Sequence, residues 1–190
     1  MNNPTDVQLV QGVLRSDAAS EAALYRRFSA AMFRVCLRYA ANRHEAEDML
    51  QEGFMLVYAD LPEYRGEGSL EGWIRRVMVR AALRWLRQRR SFDLLDDQIE
   101  TQYGGLAEPA DPADWNGDES KQVTFLLQKL PPGYRTVLNL YAIEGYNHEE
   151  IAALLGIHVG TSRSQLSKAR AMMRKMLRAS ATVQPLETEK

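Results

Sequence analysis

The most constraining stretch of this chain runs from Asn147 to Lys175 and predicts two helices joined by a tight turn. Asn147 is a favourable N-cap, and Glu150, three residues later, completes the pattern of a capping box. Apolar residues then recur at helical spacing as far as Gly156, which is typical of a helix end. A second helix is predicted to begin near Gly160. The stretch therefore predicts a helix-turn-helix.

The second helix of this motif is basic and carries no acidic residue as far as Arg178. Its cationic side chains are Arg163, Lys168, Arg170, Arg174, Lys175 and Arg178. Short polar side chains lie between them, at Thr161, Ser162, Ser164, Gln165 and Ser167. An ordinary helical hairpin with a solvated cationic face has the same pattern, but this composition favours entry into a DNA major groove.

The formal net charge of −1 hides a strong segregation of charge along the chain. Between Leu70 and Arg90 the charged residues other than Glu71 are Arg75, Arg76, Arg80, Arg84, Arg87, Arg89 and Arg90. Between Ser91 and Ser120 the chain has acidic residues and no Lys or Arg, interspersed with Gly and Pro. We therefore expect an acidic linker between two basic segments, a layout that suits binding to a polyanion at two places.

Apolar periodicity predicts helices on both sides of this linker and no strand. The N-terminal part begins with a short amphipathic helix over Asp6 to Leu14. A later helix is predicted to begin at Asn42, with Glu45 completing a second capping box. Ser69 is the expected N-cap of the arginine-bearing helix, whose buried side is predicted to include Trp73 and Trp85.

These patterns predict an all-α protein of two small helical domains joined by a flexible acidic linker. The N-terminal helical bundle is predicted to occupy residues 1–90 and the linker residues 91–120. The C-terminal helix-turn-helix domain is predicted over residues 121–180, followed by a disordered tail over 181–190.

The sequence contains no pattern that indicates catalysis, a cofactor or a metal. Its three histidines are scattered, its single cysteine, Cys36, lies in an apolar helical stretch, and no glycine-rich phosphate loop is present. We therefore predict no enzyme activity, no cofactor and a buried, inert thiol. The N-terminus has no basic segment followed by an apolar run, the pattern of a secretion signal, and no apolar stretch is long enough to span a bilayer, so we expect a cytoplasmic protein.

Three segments together resemble the bacterial RNA polymerase sigma factors. In chain order they are DMLQEGFMLVYADL (residues 48–61), YRGEGSLEGWIRR (64–76) and, after the acidic segment, LPPGYRTVLNLYAIEGYNHEEIAALLGIHVGTSRSQLSKAR (130–170). The compact arrangement is similar to the extracytoplasmic-function (ECF) group of the sigma-70 family, which has only the second and fourth regions. The resemblance implies an alternative sigma factor that binds core polymerase and directs it to promoters to initiate transcription, and whose activity an anti-sigma factor restrains.

In the N-terminal domain, the resemblance assigns two surfaces. The first would bind the clamp helices of the largest polymerase subunit through Asp48, Gln51, Glu52 and Phe54, although core packing explains the Phe54 ring equally well. The second would contact minus-10 promoter DNA through Tyr64, Arg65, Arg75, Arg76, Arg80 and Arg84. Tyr64 is the favoured base-stacking residue. Family members often carry Asn where this chain has Arg80, so the base preference at this position is not transferable.

In the C-terminal domain, the resemblance assigns minus-35 DNA contacts to Arg163, Ser164, Gln165, Ser167, Lys168 and Arg170. Arg binds guanine and Gln binds adenine in bidentate fashion, so Arg163 and Gln165 are the expected base readers. Many members of the family that this chain resembles carry a basic residue at the position of Gln165 and Val at the position of Ser162. The first difference is expected to alter the sequence preference, and the second to weaken slightly the apolar anchoring of the recognition helix. Arg135, on an earlier helix, is a further candidate for a phosphate contact.

Two other classes of protein share parts of this pattern. A conventional transcription regulator would use the same helix-turn-helix but would bind an operator on its own, usually as a dimer. It leaves the N-terminal arginine helix and the cluster around Glu52 without a role. A structural helical adaptor explains the all-α pattern but not the segregation of charge.

Overall fold

A computed structural model describes residues 5–88 and 119–182, and within these ranges every regular element is a helix. The chain divides into two compact units, residues 1–90 and 91–190. The all-α prediction is confirmed. The predicted acidic linker lies outside the described residues except for its last two positions, and so does the predicted tail beyond residue 182.

Over residues 5–88, the N-terminal unit consists of four α-helices. They are α1 (Asp6–Leu14), α2 (Ala18–Tyr39), α3 (Arg43–Asp60) and α4 (Leu70–Gln88), with a short 3-10 turn at Leu61–Glu63 after α3. The predicted first helix has the expected bounds. The Ser69 hydroxyl accepts a hydrogen bond from the Gly72 amide at 3.1 Å, which confirms the predicted cap of the arginine-bearing helix.

The cap of α3 differs in one detail from the predicted capping box. The Asn42 side chain accepts from the Glu45 amide at 2.9 Å, as expected. The Glu45 carboxylate, however, accepts from the amide of Ala41 rather than that of Asn42, also at 2.9 Å. The reciprocal contact is therefore displaced by one residue, to the amide that precedes the N-cap.

The core of the N-terminal unit lies where α4 packs against α2 and α3. Apolar residues on one side of α4 are fully buried, including Leu70, Ile74 and Met78. Leu24 and Cys36 on α2 and Val57 on α3 are equally buried. Because these side chains fill one side of α4, its charged side chains are left on the opposite side, at the surface.

In the described part of the C-terminal unit, residues 119–182, the chain forms four further helices. They are α5 (Glu119–Gln128), α6 (Pro132–Ala142), α7 (His148–Leu155) and α8 (Val159–Thr182). The capping box between Asn147 and Glu150 is present, and Gly156 ends α7 in the left-handed conformation with a φ of 68°. Both are as predicted. A side chain at that φ would be strained, which explains the glycine.

Helix α8 packs against α5, α6 and α7 and so holds the C-terminal unit together. Ala169 on α8 is fully buried and contacts a cluster formed by Leu127, Leu130 and Tyr134. No helix in the described ranges is both long and apolar enough to span a bilayer.

Burial of Cys36 gives the N-terminal core a chemical test. Desolvation raises the pKa of its thiol to about 12, because the thiolate has no solvent around it. At pH 8.5 we expect iodoacetamide to modify the native protein more than about a hundredfold more slowly than the guanidinium-unfolded chain. The measurement is the mass-spectrometric time course of alkylation. Equal rates in the two states would show that Cys36 is not enclosed by the described core.

Candidate nucleic-acid and partner-binding surfaces

A polar strip on α3 contains three of the predicted partner-binding residues. Asp48, Gln51 and Glu52 are separated by three and four residues, so their side chains project from one side of the helix. Gln51 and Glu52 are exposed, and Asp48 is half-buried. The His44 Nδ1 atom lies 3.8 Å from an Asp48 carboxylate oxygen. The strip presents two carboxylates and an amide, which suits a basic partner surface.

Phe54 does not belong to this strip. Its side chain is 3% exposed and packs against the rings of Tyr25 and Tyr58, with centroids 4.7 and 6.1 Å away. Of the two explanations that the sequence allowed for this ring, core packing is the one that the structure supports. The expectation of an exposed aromatic contact at Phe54 is therefore wrong.

An exposed apolar residue on this side of α3, Met55, was not predicted from the sequence. It is 66% exposed and follows Asp48 by seven residues and Glu52 by three, so it extends the polar strip by one turn. The same spacing that grouped Asp48, Gln51 and Glu52 also pointed to Met55. A flexible thioether surrounded by polar groups is a suitable anchor for a partner surface.

The loop between α3 and α4 holds Tyr64 against α4. The Tyr64 hydroxyl donates to the Gly68 carbonyl at 3.1 Å, and its ring centroid lies 5.4 Å from that of Trp73. Gly66 and Gly68 have φ values of 76° and 81°, which residues other than glycine rarely adopt. Trp73 is half-buried rather than part of the core, whereas Trp85 is buried as predicted. Two aromatic rings therefore meet at the base of an open, glycine-bent loop.

Most of the predicted minus-10 arginines share one exposed side of α4. Arg76, Arg80 and Arg84 are exposed and are spaced by four residues, so they form a row about 12 Å long. Arg65 in the loop is also exposed, and Arg75 is half-buried. The row begins one turn after Trp73, so the aromatic pair and the cationic surface are adjacent.

Arg80 is the member of this row for which the resemblance to sigma factors leads to the expectation of an asparagine. Its guanidinium lies 3.3 Å from the Asp60 carboxylate, near the end of α3. Both side chains are more than a third exposed, so solvent and salt weaken this pair, and a phosphate can compete for Arg80. The contact with Asp60 therefore orients the Arg80 side chain but leaves its charge available to a phosphate.

Helix α8 carries the second cationic surface. Arg163, Ser164, Ser167 and Arg170 are exposed and follow the spacing of one helical side. The Arg163 guanidinium lies 3.5 Å from Glu149 on α7, in a pair that is about two-thirds exposed on both sides. The Ser164 hydroxyl donates to the Thr161 carbonyl at 3.0 Å. These four of the six predicted minus-35 residues are therefore brought together.

The other two predicted minus-35 residues are placed differently. Gln165 is 7% exposed, so its amide is not available to a base edge and the prediction that it reads a base is wrong. The physical reason is its position, since it follows Arg163 by two residues and such residues do not share a side of a helix. Lys168 is half-buried, with its ammonium 6.0 Å from the centre of the Tyr134 ring. This contact directs Lys168 towards α6.

Arg135 is not a surface cation, so the prediction of a phosphate contact there is also wrong. Its side chain is 2% exposed, and its guanidinium donates to the Gln128 carbonyl at 3.3 Å. The arginine lies on α6 and connects it to the last residue of α5, so its role is structural.

A polar contact between α7 and α8 was not predicted from the sequence. His148 Nδ1 lies 2.9 Å from the Ser162 hydroxyl, and Ser162 is completely buried. The His148 ring stacks on Tyr141 with a centroid distance of 4.7 Å, and the Arg170 guanidinium lies 5.4 Å from the centre of the same Tyr141 ring. His148, at the start of α7, therefore contacts α6 and α8 at once.

Among the described residues, no group of His, Cys, Asp and Glu side chains is arranged to hold a metal ion. The chemistry of the surfaces described above is that of binding: two cationic helix sides, a pair of aromatic rings and an acidic strip with an apolar end. Such surfaces suit contact with a nucleic acid and with a basic protein surface.

Comparison with known proteins assigns each unit to a region of one family. The model of Sigma-70 region 2 matches residues 24–92, and the model of Sigma-70, region 4, matches residues 120–173. The first match contains α4 and the acidic strip of α3. The second contains α7 and the first half of α8.

Curated relatives and a solved structure agree with these matches. The chain is 31% identical over 157 residues to the ECF RNA polymerase sigma factor SigE of Mycolicibacterium smegmatis, covering 81% of this chain and 60% of that longer protein. It is 30% identical over 180 residues to the RNA polymerase sigma-H factor of Pseudomonas aeruginosa, covering 90% and 93%. The fold resembles that of the Bartonella quintana sigma factor RpoE, solved in complex with the anti-sigma factor NepR, with a TM-score of 0.52 at 20% identity over 81% and 94% of the two chains. The chain belongs to the sigma-70 family and is an ECF RNA polymerase sigma factor.

Proposed function

We propose that this sigma factor directs core RNA polymerase to specific promoters by dividing the work between its two units. The N-terminal domain, residues 1–90, would bind core polymerase and the minus-10 element, and the C-terminal domain, residues 121–180, would bind the minus-35 element. The observation that carries the proposal is the pair of exposed arginine-bearing helix sides, on α4 and α8, one in each unit. A polyanion is the partner that two such sides require.

Core polymerase would bind the strip formed by Asp48, Gln51, Glu52 and Met55. The carboxylates complement basic residues on the clamp helices of the largest subunit, and Met55 supplies apolar area that becomes buried on binding. Most of the affinity of such an interface comes from a few central apolar contacts, whereas exposed charges mainly speed and orient association.

Minus-10 DNA would lie along the loop and the exposed side of α4. Arg76, Arg80 and Arg84 would neutralise successive phosphates, and the half-buried pair of Tyr64 and Trp73 offers ring faces for an unstacked base. Because the glycine-bent loop has no bulky side chain at Gly66 or Gly68, the strand can approach its backbone closely.

Minus-35 DNA would meet the exposed side of α8 in the major groove. Arg163 is the residue whose fork of donors matches guanine, and Ser164 and Ser167 are short enough to allow the helix to enter. Arg170 and Arg174 lie further along the helix and would contact phosphates. The buried Gln165 is no longer part of the proposed surface.

The proposed partners and cellular location follow from this proposed function. A bacterial polymerase and its promoters are cytoplasmic, so the proposed site of action is the cytoplasm. The solved complex of the Bartonella quintana relative with an anti-sigma factor supports a similar partner here, one that covers the polymerase-binding or DNA-binding sides. The acidic segment over residues 91–120 would connect the two domains and disfavour contact with DNA between the two elements.

Met55 gives a sharp test of polymerase binding. Met55→Ala should raise the dissociation constant for purified core polymerase about fivefold to thirtyfold, because the exposed apolar anchor of the proposed interface is removed. Fluorescence anisotropy of the labelled protein measures this. Val7→Ala is the matched control, since Val7 is 64% exposed on α1, away from the strip. If the unmodified protein never binds core yet shifts promoter DNA alone, the sigma-factor proposal fails and a conventional regulator is favoured.

Arg163 gives the corresponding test of minus-35 reading. Arg163→Ala should reduce discrimination at one base pair by about 1–3 kcal/mol, because a bidentate contact is lost. The measurement is run-off transcription with core polymerase on a promoter library with a randomised minus-35 element, followed by sequencing of the transcripts. Arg174→Ala is the comparison, and it should weaken all sequences equally. A uniform loss for Arg163→Ala as well would mean that Arg163 contacts only phosphate.

A further inference from the structure

Three helices of the C-terminal unit meet at the His148 side chain. Its Nδ1 atom lies 2.9 Å from the Ser162 hydroxyl on α8, and its ring stacks on Tyr141 of α6 at an interplanar angle of 26°. The Tyr141 ring is in turn within 5.4 Å of the Arg170 guanidinium, also on α8. Helix α8 is therefore linked to this cluster at two points that are eight residues, or about 12 Å, apart along its axis.

In this cluster, the hydrogen bond to Ser162 is the contact for which water cannot substitute. Ser162 has no exposed surface, so its hydroxyl depends on partners within the protein. The serine donates to a bare Nδ1 or accepts from a protonated one, so the contact is available to either tautomer of His148. An alanine or phenylalanine at either position would remove this pairing.

The residue after Ser162 is the proposed base reader. Arg163 is exposed, and its guanidinium lies 3.5 Å from Glu149, the residue after His148. Adjacent residues at the start of α7 therefore contact adjacent residues in the first two turns of α8. Any rotation of α8 relative to α7 has to break these contacts, and the same rotation would move Arg163 relative to the groove.

We propose that His148 is a positioning residue for promoter recognition. Through Ser162 and Tyr141 it fixes the rotation of α8 about its axis, and thereby the base that Arg163 can reach. The inference rests on the proposed minus-35 reading by α8 and adds to it a residue that touches no DNA. It also explains a serine at the position where an apolar anchor would be expected, because here a hydrogen bond replaces the packing.

The test separates placement of α8 from simple stability. His148→Phe keeps a ring on Tyr141 but loses the hydrogen bond, and Ser162→Ala removes the hydroxyl. In run-off transcription with core polymerase on a library randomised at both promoter elements, each variant should lower minus-35 discrimination about threefold to tenfold. The double variant should be no worse than either single one, because the same contact is lost. Minus-10 discrimination, measured on the same transcripts, should not change.

Conservative variants and a reference variant complete the design. Ser162→Thr and His148→Asn keep hydrogen-bonding groups near the original atoms and should recover most of the minus-35 discrimination. If His148→Phe and Ser162→Ala lower only the melting temperature and total transcript yield, with discrimination intact, the pair is merely structural and the inference is overturned. Arg163→Ala is the reference: if it too leaves minus-35 discrimination intact, the proposed reading by α8 fails, and the inference falls with it.

Discussion

The structure depends on the amphipathic character of two helices, α4 and α8. Each buries one apolar side within its own unit, through residues such as Ile74 and Ala169, which are fully enclosed. Burying an arginine without partners is unfavourable, so most of the cations of both helices are left on the opposite side, in water. The same amphipathic pattern that folds each unit thus leaves a cationic row on its surface. Fold and nucleic-acid binding have a common origin in this constraint.

The local signals in the sequence predicted the helices well, because caps and periodicity act over a few residues. The bounds of α1, the Ser69 cap and the box at Asn147 needed no knowledge of tertiary structure. Individual side chains were harder. Phe54 and Arg135 were misplaced because burial depends on which neighbouring helix covers a given side. Gln165 is different, since its separation of two residues from Arg163 already indicated that the two side chains point apart.

Membership in the ECF group does not by itself decide how this chain reads DNA. Arg80, the middle member of the arginine row, stands where many family members carry a short amide, and its guanidinium is oriented by Asp60 at 3.3 Å. Ser162 also departs, and the expectation from sequence was a slight loss of apolar anchoring. The structure instead gives this serine a polar partner, His148, that lies fourteen residues earlier in the chain. Pairs of this kind are invisible to periodicity, because each partner looks unremarkable within its own helix.

The central claim is that two separate cationic helix sides recognise two promoter elements, and only in the context of core polymerase. Its most direct test is run-off transcription by the unmodified protein on DNA in which both elements are randomised, with the enriched sequences read from the transcripts. The account predicts two enriched boxes at a fixed spacing, and no transcript without core. Enrichment of a single box, or sequence-specific binding that is equally strong in the absence of core, would contradict it.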